Sequence, residues 1–307
     1  MLQIPTCCMS IRRNQARWTR LPLLLGTLGL AATGCGETAA RGDVRLTLSG
    51  GDGTQRGYAD HLFQDNWSVQ FSKYLVSVGD FTLTSAAGDV HASPEHVLVD
   101  VQKGDVPLSG LTGLEAGRYG VGFRVSPPEA RTVAGDSVSP DDLAMMRERG
   151  FSYFVEGRAQ HRDPARGLYT FHMGFPVNAR MVDCINGVDG TQGLVVPEGS
   201  VAEAELTIHA EHMFYDRLGT HRGVQLRFEA IAATADANHV ITPEGLASQD
   251  LLDLHGLDGG ELRDAQGQPV VYQPGAYDLR TLQAFVTQSI VDQAHLNGGG
   301  VCTAAAP

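Results

Sequence analysis

The sequence has few basic residues and carries none of the short motifs that mark common enzyme classes. It contains no G-x-S-x-G, no H-E-x-x-H and no phosphate-binding glycine loop. Lysine and arginine number 23 against 35 aspartate and glutamate residues, which makes the net charge −12. A protein that binds nucleic acid needs a basic face. We therefore expect neither an enzyme nor a nucleic-acid partner.

Long apolar runs are scarce as well, and the one near the amino terminus is short. Four arginines precede the apolar run Leu21–Thr33, and a cysteine follows in Ala32-Thr33-Gly34-Cys35. A basic region, a short apolar core and small residues before a cysteine resemble a lipoprotein signal peptide. The run is too short to span a bilayer comfortably. The sequence predicts a signal peptide over residues 1–34, followed by a lipidated cysteine and a short tether over residues 35–42.

A lipidated Cys35 would determine where the protein resides. Cleavage before this residue would leave a diacylglyceryl thioether and an acylated amine, which together form a stable membrane anchor. The next residue is Gly36 rather than aspartate, and this resembles the sorting of Gram-negative lipoproteins to the outer membrane. We expect a protein that contacts the outer membrane through its lipid anchor, on the periplasmic or the cell-surface face.

Cysteine is also scarce, and its positions are informative. Of the five cysteines, Cys7 and Cys8 lie in the predicted leader and Cys35 is the predicted lipidation site. Cys184 and Cys302 remain, and a single pair in an exported protein is most simply a disulfide. Ligation of a metal by the two thiolates is the alternative. A disulfide would close a loop of more than a hundred residues, worth about 4–5 kcal/mol in the chain-entropy model.

Alternating apolar and polar residues dominate the rest of the chain and predict a mainly β protein. A long β run begins at Trp67, and its alternation slips near Lys73, which indicates a bulge. A helix over Pro140–Arg149 is predicted from a serine cap at Ser139 and a stop at Gly150. The other predicted strands are Asp43–Ser49, His96–Val101, Gly117–Val125, Phe151–Ala159, Arg166–Phe175, Met181–Cys184, Leu194–Val196, Glu205–Ala210 and Gly223–Ala232.

The carboxyl-terminal part of the chain has a different pattern. Thr242 begins a predicted helix that runs to about His255, and Asp278 begins another that runs to about Leu296. Many short strands followed by a helical end predict an antiparallel β-sandwich with a helical insertion and C-terminal helices. We place the sandwich at residues 43–234. The C-terminal part, residues 235–307, would start with a calcium-loop-like turn and pack its helices on the sandwich.

Two closely spaced histidines suggest a metal site. His209 and His212 follow the end of a predicted strand, with Glu211 and Asp216 nearby. Neutral imidazoles with an acidic neighbour are typical ligands of zinc or copper. If Cys302 pairs with Cys184, the bridge brings His295 towards the same strand end. We expect a copper or zinc site of His209, His212 and His295 with Asp216, and His172 is a further candidate ligand. The alternative is a pair of surface histidines at a strand–turn junction.

A second segment has the spacing of a worn calcium loop. Asp236, Asn238, Thr242 and Glu244 supply oxygen atoms at or near ligand positions. The first and last ligand positions hold Thr234 and Gly245, whereas calcium needs six to eight oxygens. We expect no tight calcium binding here. The alternative, a strand-to-helix turn that keeps only the shape of such a loop, is preferred.

Several segments, taken together, resemble a known family. They include the helix and strand around Gly150-Phe-Ser-Tyr-Phe154, the segment Phe171-His-Met-Gly174, and the longer stretches Trp67–Leu83, Leu114–Phe123, Thr207–Asp216, Leu226–Leu246 and His295–Cys302. These resemble the MbnP-like periplasmic copper-binding proteins associated with methanobactin uptake, and related myxobacterial lipoproteins. The copper-binding members carry a tryptophan in the helix where this chain has Ala144–Arg147. The relatives' ending also has one glutamate and one histidine that are absent here.

These observations lead to one expected function and one alternative. We expect a lipid-anchored, exported accessory protein that binds copper or zinc through imidazoles and passes the cation to a redox or transport protein. The alternative is a metal-free scaffolding lipoprotein of the cell surface whose loops bind a protein partner.

Overall fold

The computed structural model describes residues 40–220 and 222–305. The predicted signal peptide, Cys35 and the tether up to residue 39 lie outside the described residues, so lipidation stays a prediction. The described residues form one compact unit. In the described part of the chain, no helix is long and apolar enough to cross a membrane.

The described chain is built mainly from short strands with few helices. The strands are β1 (Arg41–Ser49), β2 (Trp67–Ser85), β3 (Val90–Ala92), β4 (His96–Asp100), β5 (Val106–Glu115), β6 (Gly117–Val125), β7 (Val133–Ala134), β8 (Tyr153–His161), β9 (Leu168–Phe175), β10 (Ala179–Val182), β11 (Leu194–Val196), β12 (Val201–Ile208), β13 (Val240–Ile241), β14 (Ala294–Leu296) and β15 (Thr303–Ala305). The α-helices are α1 (Gly51–Arg56), α2 (Pro140–Arg149), α3 (Glu229–Ala232), α4 (Pro243–Leu246) and α5 (Leu282–Ser289). Single 3-10 turns occupy Asp60–Leu62, Val101–Lys103, Pro164–Arg166 and Ala210–Phe214.

Two sheets form a curled, sandwich-like arrangement, which confirms the predicted fold class. The smaller sheet has the strand order β14-β12-β1-β5. The larger sheet follows the order β13-β9-β8-β2-β6-β10-β15, with β3, β4, β7 and β11 attached at its sides. Most neighbours are antiparallel, but β1 and β12 run parallel from the pair Asp43 and Val201 to the pair Ser49 and Thr207. Because they run in the same direction, both strands end at the same edge of the small sheet.

Strand β2 organises the large sheet. It is 19 residues long and pairs first with β8 and then with β6 and β4. The register with β8 shifts between Phe71 and Lys73, which confirms the predicted bulge. The register with β6 shifts again between Gly79 and Thr82. Each bulge bends the strand and increases its local twist. One strand can therefore serve several partners while Trp67 and Leu83 stay fully buried.

Helix α2 has the bounds that the sequence predicts. The Ser139 hydroxyl accepts a hydrogen bond from the Asp142 amide, and the Asp142 carboxylate accepts one from the Ser139 amide, so a capping box begins the helix. Gly150 ends it with φ of 65°, a left-handed conformation that costs glycine little. The signals at both ends are local in sequence, which is why the prediction of this element is correct.

The predicted strand over Gly223–Ala232 is wrong. Residues before Phe228 are irregular, and Glu229–Ala232 forms the short helix α3. One oxygen of the Asp65 carboxylate accepts hydrogen bonds from the amides of both Phe228 and Glu229, each at 2.8 Å. These hydrogen bonds give the first amides of the helix an acceptor. The segment is therefore stabilised as a helix without a neighbouring strand. The alternating pattern instead reflects burial of Phe228 and Ala230 against the core.

The predicted C-terminal helices are shorter than expected. Helix α4 begins at the predicted Thr242 cap but ends at Leu246, and α5 is capped by Thr281 rather than Asp278. Helix α5 ends near Ser289, and Ala294–Leu296 becomes strand β14 beside β12. The apolar side of α5, which includes Phe285, packs into the same core as the sandwich.

The predicted disulfide between Cys184 and Cys302 is confirmed, with the two sulfur atoms 2.07 Å apart. The bridge joins residues that follow β10 and precede β15, and these two strands pair with each other, with Val182 opposite Thr303. The amide of Ile185 also donates to the carbonyl of Val301 at 2.9 Å. The chain end is therefore held against the large sheet beside the last residues of β14.

Candidate metal site

Three histidines meet at the edge of the small sheet where β1 and β12 end. His209 is the first residue after β12, and His212 lies in the 3-10 turn that follows. His295 is in β14, directly opposite Thr207 of β12. We call His209, His212 and His295 the histidine cluster. The sequence predicts these three together, and the pairing of β14 with β12 is what brings the third one in.

The rings of the histidine cluster are close and largely buried. Ring centroids are 4.4 Å apart for His209 and His295, 5.2 Å for His212 and His295, and 6.3 Å for His209 and His212. His212 is 2% exposed and His295 is 5% exposed. The three rings thus lie close to one another in a largely buried site.

His209 has a hydrogen-bond acceptor at each ring nitrogen. Its Nδ1 lies 2.9 Å from Glu211 Oε1, and its Nε2 lies 3.0 Å from the carbonyl oxygen of Gly298. Both partners can only accept, so the charged imidazolium satisfies this arrangement fully. Burial lowers the pKa of His209, but the hydrogen bond and charge of Glu211 outweigh it and leave the pKa raised. The contact with Glu211 therefore favours the protonated form of His209.

Glu211 links this ring to the amino-terminal part of the chain. Its second oxygen accepts a hydrogen bond from the Tyr58 hydroxyl at 2.6 Å. Burial raises the pKa of Glu211, yet the hydrogen bonds from His209 and Tyr58 prevail and lower it to about 2. Burial, with the neighbouring Glu211 charge, raises the pKa of Tyr58. Tyr58 thus stays a neutral donor and Glu211 stays a carboxylate in a chain of contacts that ends at Gly298.

This ion pair predicts a stability maximum in mild acid. A raised His209 pKa stabilises the fold below the usual histidine value of 6.5, and a lowered Glu211 pKa stabilises it above the usual glutamate value of 4.5. The contribution is full between these pH values. The stabilisation is lost as the pH falls through the pKa of Glu211 in the folded protein. It is lost again as the pH rises through the pKa of His209 in the folded protein.

Replacing Glu211 with glutamine should remove this maximum. We expect a loss of about 1–3 kcal/mol in the free energy of unfolding between pH 4.5 and 6.5, because a buried charged partner is removed. Urea denaturation across the pH range measures it. The exposed Glu198→Gln variant is the control and should keep the wild-type profile. Parallel profiles for the Glu211→Gln variant and the wild type would contradict the assignment.

His212 and His295 are each oriented by a backbone carbonyl. His212 Nδ1 lies 3.2 Å from the carbonyl of Ser289, whose hydroxyl donates back to the His212 carbonyl at 2.6 Å. His295 Nε2 lies 3.0 Å from the carbonyl of Asp292. A carbonyl only accepts, so it places the ring N–H on that nitrogen, and in the neutral ring the other nitrogen carries the lone pair. Metal-ligating histidines are held in this way.

The imidazole nitrogens of the histidine cluster are suitable ligands for zinc or copper. Their present arrangement, however, is not a complete coordination shell. Zinc–nitrogen bonds of about 2.0–2.1 Å place the centroids of three tetrahedrally arranged rings about 5 Å apart. The observed spacing brackets that value. Even so, no group of three or more His, Cys, Asp or Glu among the described residues is arranged to hold a metal ion. In this arrangement the Nε2 of His209 is engaged by the Gly298 carbonyl.

Two other predicted ligands lie in different surroundings. Asp216 pairs with Arg227, whose Nε is 3.1 Å away, and accepts the Gln225 amide at 3.0 Å. Its carboxylate therefore holds a loop together. His172 is on β9 with half of its side chain exposed, and its Nδ1 lies 3.5 Å from Glu156 on the neighbouring strand. The structure brings neither residue to the histidine cluster.

The calcium-loop-like segment uses its oxygens within the chain. Asp236 accepts the amides of Asn238 and Val240 at 2.8 and 2.9 Å. Thr242 caps helix α4 through the Gly245 amide, and Glu244 lies 3.6 Å from Arg149. His239 adopts φ of 61° and stacks on Tyr169, with centroids 4.5 Å apart. These contacts describe a strand-to-helix turn that links β13 to α4.

Sequence reasoning missed the partners that orient the histidine cluster. Tyr58 is more than 150 residues from Glu211, and no local pattern connects them. Ser289 and Asp292 act on the cluster through main-chain carbonyls, which any residue supplies. The spacing of Asp292 three residues before His295 is only a weak signal for this contact. The pairing of β14 with β12, which gives the spacing its meaning, is not visible in the sequence.

Comparisons with known proteins give limited information. No protein-family model matches the chain, and no curated protein matches it significantly. Among solved structures it is similar to MbnP from Methylosinus trichosporium, with 14% sequence identity over 55% of this chain and 76% of that chain. The TM-score of that match is 0.26. The family resemblance seen in the sequence motifs thus has a weak structural counterpart and no family-level support.

Proposed function

We propose that this chain is an exported, lipid-anchored accessory protein that binds copper or zinc at the histidine cluster and is not an enzyme. One observation carries the proposal: three imidazoles from β12, the turn after it and β14 lie with centroids 4.4–6.3 Å apart. The three rings bring imidazole nitrogens together in one place. Imidazole is the ligand type that suits zinc and copper.

The roles within the cluster follow from the hydrogen bonds. His212 and His295 are held by carbonyls in orientations that suit ligands, and both are buried. His209 would be the third ligand, with Glu211 orienting its Nδ1 side. To bind, His209 must release its proton and the Gly298 carbonyl. Gly298 has φ of 78°, a conformation that glycine adopts readily, and it precedes two further glycines.

Because the Glu211 contact favours protonated His209 and a metal ligand must be deprotonated, binding should be coupled to proton release. Metal affinity should therefore rise with pH through the His209 titration. The cation would be cargo rather than a resident catalyst, and transfer would need a redox or transport protein that docks nearby. The acidic character of the chain, with a net charge of −12, attracts cations and supports this role.

Metal stoichiometry tests the proposal. The chain from Gly36 to Pro307, purified without a histidine tag, is equilibrated with limiting copper, zinc and calcium and then analysed for bound metal. We expect near-stoichiometric copper or zinc in the wild type and loss of that metal in the His209→Ala, His212→Ala double variant. The His172→Ala variant is the matched control and should retain the metal, since His172 lies on β9 away from the cluster.

A metal-free scaffolding lipoprotein is the second candidate, and one observation favours it. His209, Glu211, Tyr58 and the Gly298 carbonyl form a complete hydrogen-bonded chain without any metal. In that case the role of the histidine cluster is structural, and it holds the end of β12 against the loop that contains Gly298. This candidate predicts that no metal is retained in the wild type and that His209→Ala lowers stability all the same.

A further inference from the structure

A pocket beside the histidine cluster contains an arginine without a counter-charge. The pocket has a volume of about 230 Å³, and its walls include His212, Arg217, Thr220, Tyr277 and Asp292. Leu218 and Val301 add apolar surface to it. It opens between the turn after β12, the segment that follows α5 and the loop around Tyr277.

Arg217 differs from its neighbours in how its guanidinium is used. Arg227 pairs with Asp216, and Arg166 pairs with Glu229. Among the described residues, none accepts a hydrogen bond from the Nε of Arg217, and this atom is buried. Arg222 also shows no side-chain partner, but it is fully on the surface. A buried Nε–H without an acceptor is costly, because this group has lost water without gaining a partner.

We propose that this pocket binds a small organic carboxylate, with the carboxylate group on Arg217. The planar guanidinium matches a carboxylate with two parallel hydrogen bonds. The hydroxyls of Thr220 and Tyr277 line the same pocket and can donate to the same group. The proposal stands on Arg217 and the pocket alone, and it does not require the metal site.

The rest of the lining narrows the class of ligand. Leu218 and Val301 offer an apolar wall for a short hydrocarbon body, which an inorganic anion lacks. The Asp292 carboxylate on another wall disfavours a doubly charged phosphate more than a singly charged carboxylate. His212 lines this pocket and belongs to the histidine cluster. The pocket is therefore adjacent to the histidine cluster.

The test is an NMR titration of the metal-free chain at constant ionic strength, with butyrate, acetate and inorganic phosphate as probes. The Arg217 side-chain Nε–H signal is the readout, because this group is buried and should give a resolved resonance. We expect butyrate to shift this signal in a saturable way and to bind more tightly than acetate. Phosphate should give no saturable shift. Arg217→Gln should weaken butyrate binding at least tenfold, about 1.4 kcal/mol.

Two variants separate recognition from bulk charge. Arg217→Lys keeps the charge but loses the paired donors, so its affinity should lie between those of the wild type and Arg217→Gln. Arg222→Gln removes an exposed charge five residues away and should leave binding unchanged. The proposal is overturned by an Arg217 signal that does not respond to butyrate, by phosphate binding as tight as butyrate binding, or by equal losses in the Arg217→Gln and Arg222→Gln variants. If Arg217→Gln does not fold, the wild-type signal and the Arg217→Lys variant decide.

Discussion

Glu229→Ala should destabilise the protein by about 3–5 kcal/mol, because it leaves a partly buried arginine and a buried indole N–H without their acceptor. Glu229 is 7% exposed. Its two oxygens accept from Arg166 at 2.6 and 3.0 Å and from the Trp67 Nε1 at 2.9 Å. The amide of Leu257 donates to it as well, at 3.2 Å. One carboxylate thus joins the start of β2, the loop before β9 and the long C-terminal loop.

Urea denaturation measures this effect, and the chain offers a matched control. Glu203 pairs with Arg45 on the surface, where both side chains are more than half exposed. Glu203→Ala should change the free energy of unfolding by less than about 1 kcal/mol. Glu229→Gln keeps the shape and one acceptor for Trp67, so its loss should lie between the two. If the Glu229→Ala variant were as stable as the Glu203→Ala variant, the hydrogen bonds of Glu229 would contribute little to the free energy of unfolding.

Removal of the disulfide should cost a similar amount, about 4–5 kcal/mol in the chain-entropy model, because the bridge closes a loop between residues 118 apart. The Cys184→Ser, Cys302→Ser double variant tests this by urea denaturation. The wild type in excess reductant is the control and should match the double variant. A loss below 1 kcal/mol would mean that the pairing of β10 with β15 holds the chain end without the bridge.

Loss of the bridge should also reach the histidine cluster. The segment between β14 and Cys302 contains Gly298, whose carbonyl meets His209. With the chain end released, this carbonyl is held only by the pairing of β14 with β12 and by local contacts. We expect the His209 ring signals to broaden or shift in the double variant, whereas the Trp67 signals on the far side of the core should not.

Where the deciding contacts are local, the sequence was sufficient. Helix α2 is marked by Ser139 at its start and Gly150 at its end, so both bounds are correct. The bulge near Lys73 shows as a slip in the alternation. The pairing of Cys184 with Cys302 followed from the small number of cysteines. The mainly β class followed from alternation repeated along most of the chain.

Where distant contacts decide, the sequence misled. The alternation over Gly223–Ala232 is that of a strand, but the Asp65 carboxylate caps this segment as a helix from more than 160 residues away. The apolar stripe after Asp278 continues past Ser289, yet hydrogen bonds to β12 take up Ala294–Leu296 as a strand. Local preference is worth tenths of a kcal/mol per residue, and tertiary partners override it.

The sequence by itself determined the β class and the disulfide, and it named the three histidines that the structure brings together, along with His172, which lies elsewhere. Only the tertiary structure decided the state of those histidines. The parallel pairing of β1 with β12 and the placement of β14 put Glu211, Tyr58 and the Gly298 carbonyl around His209, and left the Nε of Arg217 without an acceptor in the neighbouring pocket. The physical reason is that hydrogen bonds and charge in a buried site act over a few ångströms, and only folding sets which groups lie within that distance.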